Sequence, residues 1–120
     1  MPRLTLLVLI LVLLTAFTAC SKKSDPVVDG VKSSILALHK VYDAEIEKNG
    51  DASELTVADA LDEAKVGFVM QSYWDFEVLG FPPKRYIATS SSTNRLGEGK
   101  TIWYDVDDEV FHGFRIDDDE

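Results

Sequence analysis

Residues 25–50 read DPVVDGVKSSILALHKVYDAEIEKNG, and this stretch decides the first half of the fold. Asp25 is a favourable helix cap, and Pro26 suits the first helical position. Asn49 and Gly50 accept the left-handed dihedrals at which helices end. We therefore predict one amphipathic helix of about 23 residues, ~35 Å long at 1.5 Å per residue. Its apolar residues recur at three- and four-residue steps: Val28, Val31, Ile35, Leu38, Tyr42 and Ile46.

A shorter helix is predicted over residues 57–66, with Thr56 as its cap and Gly67 as its end. Beyond Gly67 the apolar period changes to two, because Trp74, Phe76 and Val78 alternate with acidic residues. This alternation is typical of a strand with one buried face.

Three further strands follow the first one. Residues 85–90 form the second, and residues 101–106 and 110–116 form a hairpin around Asp107 and Asp108. The sequence therefore predicts an α+β fold: a long N-terminal amphipathic helix plus a short helix packed on a four-stranded antiparallel sheet, whose other face meets water.

The first twenty residues carry an export pattern. Arg3 precedes an uncharged run from Leu4 to Ala16, which is shorter than the ~20 residues that span a bilayer comfortably. The tetrad Phe17-Thr18-Ala19-Cys20 then resembles the lipobox of bacterial lipoproteins, in which a peptidase cuts before the cysteine and the thiol carries a diacylglycerol. The alternative is an uncleaved signal anchor or plain secretion.

This resemblance implies a division of the chain into four parts. Residues 1–19 are a signal peptide, and residues 20–26 are the lipidated Cys20 and a short tether. Residues 27–116 are the folded domain, and residues 117–120 are an acidic tail. The expected location is the cell envelope, with the domain in the periplasm or at the cell surface. Ser21, where aspartate would resemble an inner-membrane retention signal, favours the outer membrane.

The chain is acidic, with a formal net charge of -9. Nucleic acid is excluded as a partner by this charge, since a phosphate backbone requires a basic face. The acidic domain would also be repelled by an anionic lipid surface, so that the expected membrane contact is the lipid anchor. Envelope or secretion-system proteins are the expected partners.

Two stretches of the predicted domain resemble the soluble domains of type IV pilins and type II secretion pseudopilins. Residues 41–50 look like the end of the pilin helix, and residues 86–90 and 97–106 look like pilin sheet segments. The resemblance implies a pilin-like fold and a role in a secretion or surface assembly. However, the run from Leu4 to Ala16 lacks the prepilin cleavage site and its glutamate, and cleavage before Cys20 would remove it. The expected role is therefore a docked accessory or scaffold rather than a filament subunit.

No catalytic constellation is recognisable, and a non-enzymatic protein is predicted. His39 and His112 lack metal-ligand spacing; His39 is predicted to lie on the helix surface and His112 to be partly buried. Ser90, Ser91 and Ser92 lack a nucleophile elbow and are interpreted as polar residues of a loop. The carboxylates of the first strand, two residues apart, are predicted to face solvent.

Two weaker binding hypotheses remain open. Clustered carboxylates can bind calcium, but the acidic hairpin also fits a solvated turn. The alternative function is a periplasmic ligand-binding lipoprotein that takes calcium or stacks a glycan on aromatic rings. The calcium candidates are Asp105, Asp107, Asp108 and Glu109, and the stacking candidates are Trp74, Tyr86, Trp103 and Tyr104.

Overall fold

The structure is a computed structural model that describes residues 25–117. The predicted signal peptide, Cys20, most of the tether and the last three residues of the acidic tail lie outside the described residues. The helices are α1 (Pro26–Asn49), α2 (Val57–Glu63) and α3 (Phe68–Tyr73), and the strands are β1 (Trp74–Leu79), β2 (Arg85–Ser90), β3 (Thr101–Asp105) and β4 (Val110–Gly113).

The boundaries of α1 confirm the prediction. The Asp25 carboxylate accepts a hydrogen bond from the Val27 backbone N–H at 3.1 Å, which satisfies one free donor of the first turn. Gly50 adopts a φ of 87° and donates its N–H to the Ile46 carbonyl at 2.7 Å. The buried residues of α1 are members of the predicted apolar stripe: Val28, Val31, Ile35, Leu38 and Tyr42.

The segment after α1 differs from the prediction in two respects. The Thr56 hydroxyl caps α2 as expected by accepting from the Asp59 N–H at 3.1 Å, but the helix ends at Glu63 because Lys65 adopts a φ of 60°. Gly67 is the cap of α3, which the sequence analysis did not predict. Periodicity could not reveal α3, since none of its residues is buried.

The sheet confirms the α+β prediction and its antiparallel pairing. The strands lie in the order β1-β2-β3-β4. Of the two faces of the sheet, α1 covers only the inner one. β4 ends at Gly113 rather than at residue 116, because Gly113 takes a φ of 108° and Phe114 donates its N–H to the Thr101 carbonyl. The most deeply buried sheet residues are Tyr86, Ala88, Ser90 and Ile102.

One end of the domain, here named the tether end, contains the start of α1. A β-carbon added at Gly30 would stand 3.3 Å from Cε of Met70, so α3 packs against the first turns of α1. Ser91 donates its N–H to the Tyr73 carbonyl at 2.9 Å, which brings the β2–β3 loop to the same end.

The opposite end, here named the distal end, contains the end of α1 and the β1–β2 and β3–β4 turns. The two turns are joined by a 3.0 Å hydrogen bond from the Val106 N–H to the Lys84 carbonyl. The 24 residues of α1 separate the ends by ~36 Å. Within residues 25–117, none of the helices combines the length and apolar character needed to cross a bilayer.

Candidate binding cleft

An apolar cleft of about 490 Å³ opens at the distal end. It lies between the last turns of α1, the loop from Gly50 to Thr56, and the β1–β2 turn. This volume falls in the range of protein sites that hold a small molecule or an inserted side chain. The apolar lining residues are Tyr42, Ile46, Ala52, Leu55, Val57, Val78, Phe81, Pro82 and Pro83.

The base of the cleft belongs to the rigid core. Tyr42 is only 5% exposed, and its ring packs edge-on against Tyr86 with centroids 5.9 Å apart. Burial raises the pKa of the Tyr42 hydroxyl, because the charged phenolate would be poorly solvated there. The base is therefore a neutral aromatic surface.

The rim of the cleft carries one carboxylate, that of Asp51. Its Oδ1 atom accepts hydrogen bonds from the Ser53 backbone N–H at 3.1 Å and from the Ser53 hydroxyl at 2.9 Å. These two bonds lower the pKa of Asp51, so that the rim is negatively charged at neutral pH. An ionised rim beside an apolar interior favours a cationic, partly apolar occupant.

The outer lip of the cleft is Phe81, whose side chain is 89% exposed. The turn that presents it is tightly closed at Gly80, where φ is 97° and an added β-carbon would stand 2.9 Å from Cγ of Lys84. Pro82 and Pro83 follow directly. A large aromatic ring is thus held out from the domain on a constrained turn.

Comparison of the chain with family models, with curated protein sequences and with solved structures yields no significant match in any of the three. The function must therefore be argued from the residues of the site. The sequence alone does not predict the cleft, because Gly80, Pro82 and Pro83 by themselves indicate only where a strand ends. The apolar Phe81 between these turn residues was the available signal.

His39 was predicted to lie on the surface of α1. The structure corrects this prediction, because His39 contacts the sheet. The Tyr86 hydroxyl donates to Nδ1 of His39 at 3.0 Å, in the tautomer whose Nε2–H faces the Asp43 carboxylate at 3.4 Å. Burial raises the pKa of Tyr86, and the nearby Asp43 carboxylate raises it further. This polar contact links α1 to the centre of the sheet.

Replacing Tyr86 with phenylalanine should cost about 1 kcal/mol at neutral pH, since the bond to His39 is lost. The substitution should also reduce the fall in the free energy of unfolding that occurs at alkaline pH. Above pH ~10 the unfolded chain releases the Tyr86 proton while the folded chain keeps it, so the free energy of unfolding falls by up to ~1.4 kcal/mol per pH unit. Urea unfolding at pH 7 and pH 11 measures both effects. Tyr73→Phe, outside this contact, is the matched control, and an unchanged alkaline slope in Tyr86→Phe would contradict the prediction.

The proposed glycan-stacking residues do not form one surface. Trp74, Tyr86 and Tyr104 are buried on the inner side of the sheet. Trp103 lies on the outer face, where it stacks on His112 with ring centroids 5.6 Å apart and lies under the Arg85 guanidinium at 5.8 Å. The hypothesis of a shared four-residue stacking surface is therefore wrong.

The acidic hairpin pairs with cations of the protein itself. The Arg85 Nε–H donates to Oδ1 of Asp105 at 2.7 Å, and Asp107 lies 3.6 Å from Nζ of Lys84. No group of three metal-binding side chains converges within the described range 25–117. The calcium hypothesis for Asp105, Asp107, Asp108 and Glu109 stays a prediction. His112 is partly buried as predicted, 3.4 Å from the carboxylates of Asp105 and Asp117.

The other polar residues considered as catalytic candidates either face solvent or hold the fold together. Asp75 and Glu77 face solvent from β1, as predicted. Ser90 ends β2, as the predicted strand over residues 85–90 requires, but its side chain is only 1% exposed and is not part of a polar loop. Its hydroxyl donates to the Gly97 carbonyl at 2.5 Å and accepts from the Lys100 N–H at 2.7 Å, which closes the β2–β3 loop.

Proposed function

We propose that this protein is a non-enzymatic lipoprotein of the cell envelope that binds a partner protein in its distal cleft. The lipid is attached at Cys20 after removal of residues 1–19, and the domain lies in the periplasm or at the cell surface, with the outer membrane favoured. The observation that carries the proposal is the position of the apolar cleft, ~36 Å along α1 from the tether. A cleft at that end is open to a partner while the tether holds the other end.

The pilin-like character of residues 27–116 supports a role in a secretion or surface assembly. In a pilin, the apolar N-terminal helix stays on the subunit and packs in the filament. In this protein the corresponding apolar segment would be removed with residues 1–19, and the lipid on Cys20 would attach the domain to the membrane instead. The proposed role is thus an accessory or scaffold that docks on an assembly without polymerising.

The cleft also indicates which part of a partner it would take. Its interior is apolar, and its charged rim residue is the ionised Asp51. The net charge of -9 adds a long-range attraction for cations. We expect the partner to insert an apolar side chain that is flanked by lysine or arginine.

A photoreactive residue placed at Ser53, which is exposed on the cleft rim, tests this binding mode in intact cells. It should form one discrete protein adduct. Phe81→Ala should lower the adduct yield by 10-fold or more, because a central aromatic contact of an interface typically contributes ~2 kcal/mol or more. The substitution should leave stability within ~0.5 kcal/mol, since the ring is almost fully exposed.

Asp75→Ala provides the matched control, because Asp75 is exposed on the outer face of the sheet, away from the cleft. It should leave the adduct unchanged. Absence of an adduct from position 53, or an equal yield with Phe81→Ala, would contradict the cleft as the docking site.

A further inference from the structure

A second group of exposed apolar side chains lies at the tether end. Phe68 is 85% exposed, Val69 62%, Tyr73 39% and Val27 41%. We name these four residues the tether-end patch. Large apolar side chains that stay exposed next to one another commonly mark a surface that another phase or molecule covers.

The contact of Met70 with Gly30 places α3, which carries three of these residues, beside the first turns of α1, which carry Val27. Val69 and Tyr73 are four residues apart on α3 and share one side of that helix. Val27 lies one turn before Gly30, the residue against which Met70 packs. The patch therefore spans both helices beside the first turn of α1.

The length of the tether determines what can cover this patch. Five residues separate Cys20 from Pro26, and an extended chain advances at most ~3.6 Å per residue, so six steps reach ~22 Å. A lipid on Cys20 would hold the first turn of α1 within that distance of the bilayer. Phe68 and Val69 belong to α3, which contacts the same turns of α1 through Met70.

We propose that the tether-end patch inserts into the interfacial layer of the membrane that holds the lipid of Cys20, an inference that rests on the proposed lipid anchoring. Aromatic and aliphatic side chains bind at this layer by burying apolar area. The acidic turn with Asp107 and Asp108 belongs to the distal end, away from the headgroups. The patch and the lipid together would orient the domain, with the cleft directed away from the membrane.

Site-specific fluorescence on the full chain tests this contact. If Cys20 is lipidated, Phe68→Cys introduces the one free thiol of the mature chain, to which a polarity-sensitive dye can be attached. Phe81→Cys is the matched control, because it replaces an equally exposed phenylalanine at the distal end. Both proteins are reconstituted into phosphatidylcholine vesicles that contain a nitroxide-labelled lipid.

We expect the nitroxide to quench most of the emission of the dye at position 68, with a shift to the blue on vesicle binding, and to leave the emission of the dye at position 81 unquenched. Vesicle flotation of the same samples reports the anchor separately. Flotation with neither dye quenched would overturn the membrane contact and leave the anchor intact. Failure to float would overturn the anchoring itself, and quenching at both positions would contradict the proposed orientation.

Discussion

Replacing Cys20 with alanine should abolish lipid attachment completely. In the wild-type protein, the mature chain should begin at Cys20 and carry the additional mass of a diacylglycerol-bearing lipid. The variant should carry none, because no other cysteine exists in the sequence. Each buried methylene of an acyl chain contributes ~0.8 kcal/mol to membrane binding, so the loss of a whole lipid exceeds any other single effect expected here. Intact-protein mass spectrometry with detergent-phase partitioning measures both consequences.

Ser21→Ala is the control for this substitution, since it alters the neighbouring residue and leaves the thiol in place. It should retain the lipid mass and the partitioning of the wild-type protein. A wild-type chain that is unmodified, or that keeps residues 1–19, would contradict the lipoprotein assignment. Retention of residues 1–19 would also keep the apolar run in the mature protein, as in a pilin.

Gly113→Ala should destabilise the domain by about 4 kcal/mol, the largest expected effect of one substitution within the fold. Gly113 has a φ of 108°, a backbone conformation that residues with a β-carbon rarely adopt. The new β-carbon would also overlap the carbonyl oxygen of Thr101 and stand 3.1 Å from Cα of Ile102. Ile102 is fully buried and paired with Gly113 in the sheet, so its backbone cannot move aside.

Urea unfolding of Gly113→Ala and Gly99→Ala separates steric overlap from backbone strain. Gly99 has a φ of 88° but nothing within 4 Å of the position of an added β-carbon. Its substitution should therefore cost only ~1 kcal/mol, for the dihedral alone. Equal losses in the two variants would show that the approach of β4 to Thr101 is looser than described.

Elements that depend on local signals were predicted well from the sequence. The bond from Val27 to the Asp25 carboxylate and the left-handed Gly50 place both ends of α1 where expected. The alternation around Trp74 and Phe76 predicts β1, since period two is a property of the strand itself. Such signals act over a few residues and are readable without a tertiary context.

Elements that depend on distant contacts were missed or misplaced. None of the residues of α3 is fully buried, and the contact of this helix with Gly30 is made by Met70, forty residues later in the chain. The end of β4 is set by the Phe114 N–H, which bonds to Thr101 rather than continuing the strand. Helix periodicity alone predicts a surface position for His39, because it cannot show that Tyr86 lies opposite it in the sheet.

The long helix with its caps, the order of the four strands, the acidic charge and the lipobox-like tetrad that ends at Cys20 can be read from the sequence alone. These features depend on neighbouring residues or on composition. The cleft that Tyr42 and Phe81 border, and the position of Phe68 at the tether end, become visible only in the folded domain. The physical reason is that a surface is made by residues far apart in the chain, and their proximity is set by how the helices pack on the sheet.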